Sequence, residues 1–167
     1  MSAKPLDELF DYKNLLMREF CSNEKIIKLV TGEDEVPVPH LELPYTRIFP
    51  YEYLPETVDD ADTYICFDVD IDVENKTFLR PVVYIWALTH KSKMHLPTGG
   101  ILLDQLCVEI DTMLNGSRYY GLGELELKRV ERFSPIQDFH GRALTYTVRD
   151  FNRPGMSRTP PANRKQG

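Results

Sequence analysis

The chain holds 167 residues, 42% hydrophobic, 11% aromatic and 28% charged, with a net charge of −6. That is enough apolar matter for one packed domain and excludes a wholly disordered chain. No apolar run approaches the ~20 residues of a membrane helix, no signal-peptide core is visible, and an acidic chain is a poor match for a general nucleic-acid binder.

In chain order, Pro5 to Phe20 predicts a helix. Pro5 suits its first turn, and Asp7 and Glu8 complement the positive end of the helix dipole. Leu6, Leu9, Phe10, Leu16, Met17 and Phe20 fall largely on one apolar stripe. Ser22 is the expected N-cap of a second helix carrying Ile26, Ile27, Leu29 and Val30, and Gly32 is its expected left-handed stop.

Residues 33–61 hold Pro37, Pro39, Pro44, Pro50 and Pro55, so neither a helix nor an interior strand runs through them. With Tyr45, Phe49, Tyr51 and Tyr53 the segment is too aromatic for a linker. An ordered, extended excursion is expected, packed on the domain or on a neighbour, with those four residues as a candidate interface loop. His40 reads as a loop residue.

A hairpin from Asp62 to Lys91 follows. In its first arm Ile65, Phe67, Val69, Ile71 and Val73 alternate with Tyr64, Cys66, Asp68, Asp70 and Asp72, predicting one buried and one wet face. The second arm, Phe78 to His90, is apolar on both parities and is predicted to be covered on both sides. Glu74-Asn75-Lys76 reads as the tight connection. After a polar turn, Thr98 is the expected cap of an amphipathic helix with Leu102, Leu103, Leu106, Ile110, Met113 and Leu114 at helical spacing, stopped by Asn115-Gly116. Gly123 to Phe133 predicts a strand with an irregularity near Val130. A connection containing Asp138-Phe139-His140-Gly141 then leads to a last strand, Arg142 to Phe151. The fold class expected is α+β: an antiparallel or mixed sheet of about four or more strands packed by an amphipathic helix, with N-terminal helices and an extended C-terminal arm.

Two units are expected: a single domain over residues 1–152 and a basic arm over 153–167. Residues 149–167 set Arg149, Arg153, Arg158, Arg164 and Lys165 against Asp150 alone, a net of +4, so the remaining chain carries −10. A basic tail on an acidic body can reach a neighbouring copy of that body.

Candidate chemistry is sparse. Asp68, Asp70 and Asp72 suggest a hard-cation site, and with it a small metal-dependent, nuclease-like enzyme. Against it, residues two apart on a strand lie ~6.6 Å apart along its axis, too far to converge easily on one ion. The bland alternative is a solvated acidic face. No G-x-S-x-G stretch is present, and neither Thr98-Gly99-Gly100 nor Gly121-Leu122-Gly123 matches a nucleotide-binding pattern. His90, His95 and His140 are scattered near turns. Cys21, Cys66 and Cys107 lie far apart and read as free thiols in a reducing compartment. No catalytic residue, metal ligand or cofactor is assigned, and the chain is not expected to be an enzyme.

The order of elements resembles the head-tail joining proteins of tailed bacteriophages, most of all the tail-terminator (tail-completion) group. The resemblance covers roughly residues 5–152. It is carried by the helices of Leu6 to Val30, by the Ile65 to Trp86 hairpin with the Leu102 to Leu114 helix, and by the closing stretch Gly141 to Asn152. It implies a virion protein assembled in the host cytoplasm, forming a ring, usually a hexamer, at the head-tail junction. Such a ring caps the tail tube and docks the head connector; another neck or connector component is the nearest alternative. The partners implied are further copies of the chain, the tail tube protein and connector or adaptor proteins, with DNA passing the lumen without specific binding, and no membrane. On this reading Asp68, Asp70 and Asp72 are candidate lumen residues, and Arg153, Arg158, Arg164 and Lys165 a candidate inter-subunit arm.

Overall fold

The computed structural model describes residues 5–55, 60–74, 78–120 and 123–148. Helix α1 spans Pro5–Phe20 and α2 spans Glu24–Thr31. A two-residue strand β1, Ile48–Phe49, precedes the long hairpin of β2, Thr63–Glu74, and β3, Phe78–His90. Helix α3, Leu102–Leu114, and strands β4, Leu125–Phe133, and β5, Phe139–Val148, complete the order. The fold is α+β, and among the described residues the strands form one mixed sheet in the order β1-β2-β3-β5-β4. β1 runs parallel to β2, and the other neighbours are antiparallel.

The helices lie on one face of this sheet. Ile65, Phe67 and Val69 of β2, Val83, Ile85 and Ala87 of β3, and Leu144 and Tyr146 of β5 share one core with Leu16, Phe20, Ile26, Ile27, Val30, Leu103, Leu106, Ile110 and Leu114. The period-two pattern of the strands and the helical spacing of α3 thus meet in one apolar layer. Phe20 stacks on Phe67 with ring centroids 5.5 Å apart. The Tyr146 hydroxyl donates to Asp111 on α3 at 2.8 Å, which satisfies the polar end of a fully buried ring.

The excursion explains a departure from simple alternation. Phe49, with Tyr53 packed beside it, covers the start of the opposite sheet face and builds a second cluster with Tyr64, Cys66, Leu88 and Phe139. Tyr64 and Cys66, expected on the wet face, are therefore buried. The same cover stops partway along β3. Leu88 is buried, whereas Val82, Tyr84 and Trp86 are half-buried, so among the described residues β3 is covered on both sides only toward its His90 end.

Other expectations shift for local reasons. The cap of α2 is Asn23, whose side chain accepts from the Ile26 N–H at 3.2 Å, and Ser22 precedes it. Gly32 ends α2 with φ 72° as expected. Leu6 stays exposed because α1 touches the core only from Leu9 onward, and Phe10 lies off the face that packs there, Leu9, Tyr12, Leu15, Leu16 and Phe20. Helix α3 starts after Ile101, with Thr98-Gly99-Gly100 in the preceding turn, which the Gly99 N–H closes onto the Leu96 carbonyl. The irregularity of β4 falls between Leu127 and Arg129, two residues before Val130. Glu74 belongs to β2, and β5 begins at Phe139, so its first residues lie inside the stretch expected to be a connection. The remainder of the tight connection (Asn75-Lys76), residues 149–151 of the last strand, and the arm with Arg153, Arg158, Arg164 and Lys165 lie outside the described residues.

Candidate functional site

The aspartate row sits on the sheet face away from the helices, beyond the cover of Phe49 and Tyr53. It is not a bare wall. Asp68 pairs with Lys13 of α1 at 2.8 Å, and the same carboxylate oxygen accepts from the Val69 N–H. Asp70 hydrogen-bonds Tyr84; that bond and the nearby negative charge of Asp70 and Asp72 reinforce what desolvation already does, raising the phenol's pKa. Asp72 stands opposite Arg80 in the β2–β3 register. Asp70 and Asp72 are exposed. Asp68 and Asp70 are engaged by different partners along the strand, and among the described residues no three His, Cys, Asp or Glu side chains come together as a metal site. Tyr84 and Trp86 stack beside this row with ring centroids 5.9 Å apart.

The four aromatic residues of the excursion separate into two pairs. Phe49 and Tyr53 stack on each other at 4.0 Å and face the sheet. Tyr45 and Tyr51, 63% and 46% exposed, face outward with ring centroids 6.5 Å apart. Together with Pro50 and with Phe10, Lys13, Asn14 and Met17 of α1 they line an open groove of about 320 Å³. Phe10, 69% exposed, is its largest apolar side chain from α1. Tyr45 has a positive φ of 61°, a region that costs a non-glycine residue of the order of 1–3 kcal/mol. The local hydrogen bond from its N–H to the Ile48 carbonyl, 2.8 Å, and the Pro44–Ile48 bridge hold it there.

The element that fixes the groove is Arg47, which sequence reasoning passed over. Its guanidinium pairs with Asp62 at 2.8 Å, donates to the Val30 carbonyl at the end of α2 and lies 5.8 Å from the Tyr64 ring centroid. Its carbonyl accepts from the Ile65 N–H. One side chain thus ties the excursion to α2 and to β2. A basic residue just before an apolar pair in an otherwise proline- and tyrosine-rich stretch was the available signal, and it is a weak one.

The remaining reactive groups have structural surroundings. Burial pushes Cys21, Cys66 and Cys107 up to about 11, away from nucleophilic use near neutral pH. His90 caps the turn Lys91–Lys93 by accepting from the Ser92 N–H and packs edge-on against Phe139. The His40 N–H donates to the Cys21 carbonyl, and its Nδ1 is buried without a partner among the described residues. His95 lines a second groove, of about 420 Å³, between the end of α2 and the Lys91–Lys93 turn; its Asp62 is already held by Arg47. His140 lies on β5. The four histidines are not gathered into one site, and no helix is long and apolar enough to cross a membrane among the described residues.

A family model described as YomW matches residues 23–148, which takes in α2, the excursion, α3 and all five strands and leaves out α1 and the arm. The chain belongs to this YomW family, which is phage-related. No curated protein matches the chain.

Proposed function

We propose that this YomW-family chain is a structural protein of a tailed-phage particle, forming a ring at the head-tail junction that caps the tail tube and joins it to the head connector. The observation that carries the reading is a pair of unlike surfaces on opposite sides of one small sheet. At the β1–β2 side lies the aromatic groove of Phe10, Tyr45 and Tyr51. At the other side β4 is the sheet edge, with Val130 exposed among Lys128, Arg129, Glu131 and Arg132. Two different patches on one protomer are what a head-to-tail contact needs, and such contacts give a ring where the rotation between copies closes and a filament where it does not. With edges against neighbours, the open sheet face is left for the lumen. Asp70 and Asp72 then repel passing DNA, an effect that reaches about 8 Å at physiological salt.

The supporting chemistry is the lack of convergence among the described residues: Asp68 is held by Lys13, Asp70 by Tyr84, and no three potential ligands gather, which disfavours a nuclease centre. The same surfaces also fit a neck ring next to the terminator. The experiment is electron microscopy of the full chain mixed with polymerising tail tube protein. The terminator reading predicts rings at one tube end and shortened tubes. Tubes of unchanged length with no bound density would count against it.

A further inference from the structure

The groove formed by Phe10, Met17, Tyr45, Pro50 and Tyr51 is open, and the chain's own sequence offers an occupant for it. Within its basic arm it reads Arg158-Thr159-Pro160-Pro161-Ala162-Asn163-Arg164. We infer that this groove binds residues 158–164 of a neighbouring copy, so that the arm of each protomer locks into the next. This inference rests on the ring reading above.

Three observations converge on it. The first is chemical complementarity. Proline pairs favour the extended polyproline helix, and such helices dock into grooves walled by aromatic rings, at little cost in conformational entropy. Tyr45 and Tyr51 present two outward rings, with Phe10 as a third wall. The second is charge. Asp7 and Asp11 flank Phe10 on α1 and Glu52 follows Tyr51, all exposed, so carboxylates border the groove where Arg158 and Arg164 would bracket the prolines. In a polyproline helix those two arginines stand ~19 Å apart.

The third observation is topological. The arm follows Val148 of β5, which neighbours the β4 edge, whereas the groove lies beyond the β1–β2 edge. Within one protomer the arm would have to cross β3 and β2. In a head-to-tail ring the β4 side of one copy abuts the groove side of the next. The residues between Val148 and Arg158 then need to span a single interface, and fully extended they reach ~30 Å. The positive φ of Tyr45 fits this role: the backbone accepts strain at the residue that turns its ring outward.

The test uses full-length chain carrying a photo-crosslinking amino acid at Ala162, assembled as a mixture of isotope-labelled and unlabelled copies, with particle size measured on the same sample. The inference predicts cross-links from position 162 to Phe10, Tyr45 or Tyr51 that join labelled to unlabelled chains. In the Tyr45→Ser/Tyr51→Ser double variant their yield should fall at least about tenfold, as expected for aromatic anchors. Both residues are exposed, so the variant leaves the core intact, which thermal unfolding checks. Cross-links confined to one chain, cross-links elsewhere, or an unchanged yield in the double variant would each overturn the inference. If rings form while the cross-links lie elsewhere, only the arm assignment fails. A sample that stays monomeric with no cross-link between chains defeats both readings.

Discussion

At Gly141 the sequence misleads for a physical reason. A glycine after Asp138-Phe139-His140 reads as a turn, yet Gly141 is an interior residue of β5, opposite Phe133 of β4. The Phe133 ring lies over it, and a Cβ built at Gly141 would stand 2.2 Å from a ring carbon. The glycine is there to make room for an aromatic neighbour, a contact that only the strand register reveals. Gly141→Ala should therefore cost ~1–3 kcal/mol, the range for overpacking. Chemical denaturation of the variant would check this, and an unchanged midpoint would contradict it. The buried acids give a second prediction at this scale. Burial raises the three thiols from 9 to about 11 and Tyr64 from 10 to about 12. A group with a raised folded pKa keeps its proton longer in the native state. Its contribution is whole below the unfolded pKa and is lost as pH rises through the folded one. The contribution of these groups should accordingly be constant up to pH 9, and stability should decline from pH 9 to 11, read as a falling urea midpoint. Cys66→Ala should shallow that decline.

Among the elements, long periodic segments were legible and irregular ones were not. The buried stripe of α3 follows from spacing, because every third or fourth residue must reach the same core, and the start of α1 follows from Pro5 and the acidic first turn. The excursion at residues 33–61 was recognisable as ordered from its prolines and aromatics. Which of its rings face inward was not, since Phe49 and Tyr53 are turned by β1 and by the Arg47 contacts, which no local pattern encodes. The burial of Tyr64 and Cys66 was missed for the same reason: the residues covering them come from another part of the chain. Arg47→Ala should remove a charged hydrogen-bond partner of Asp62 and the Val30 carbonyl, at ~1.5–3 kcal/mol, and free the excursion before the sheet melts. Hydrogen exchange would show faster labelling at Tyr45 and Ile48, with β3 and β5 unchanged. By contrast, Asp68→Asn should change stability by no more than about 1 kcal/mol, because its pair with Lys13 is partly solvated.

For the whole molecule, the charge separation seen in the sequence acquires a geometry. The acidic body presents the groove on one side, and the segment bearing the net +4 starts beside the opposite edge. The aspartates first suggested chemistry, and the separate partners of Asp68 and Asp70 direct attention to surface and assembly instead. The family match covers the sheet and the excursion and leaves out α1 and the arm. The proposed contact joins the arm and Phe10, outside the matched region, to Tyr45, Pro50 and Tyr51 within it. The most direct measurement is mass photometry of the full chain, alone and with tail tube protein, across a range of concentrations. A closed oligomer of one defined stoichiometry, lost in the Tyr45→Ser/Tyr51→Ser double variant, is the predicted result. A chain that remains a monomer under every condition, including with tail tube protein present, would contradict the account.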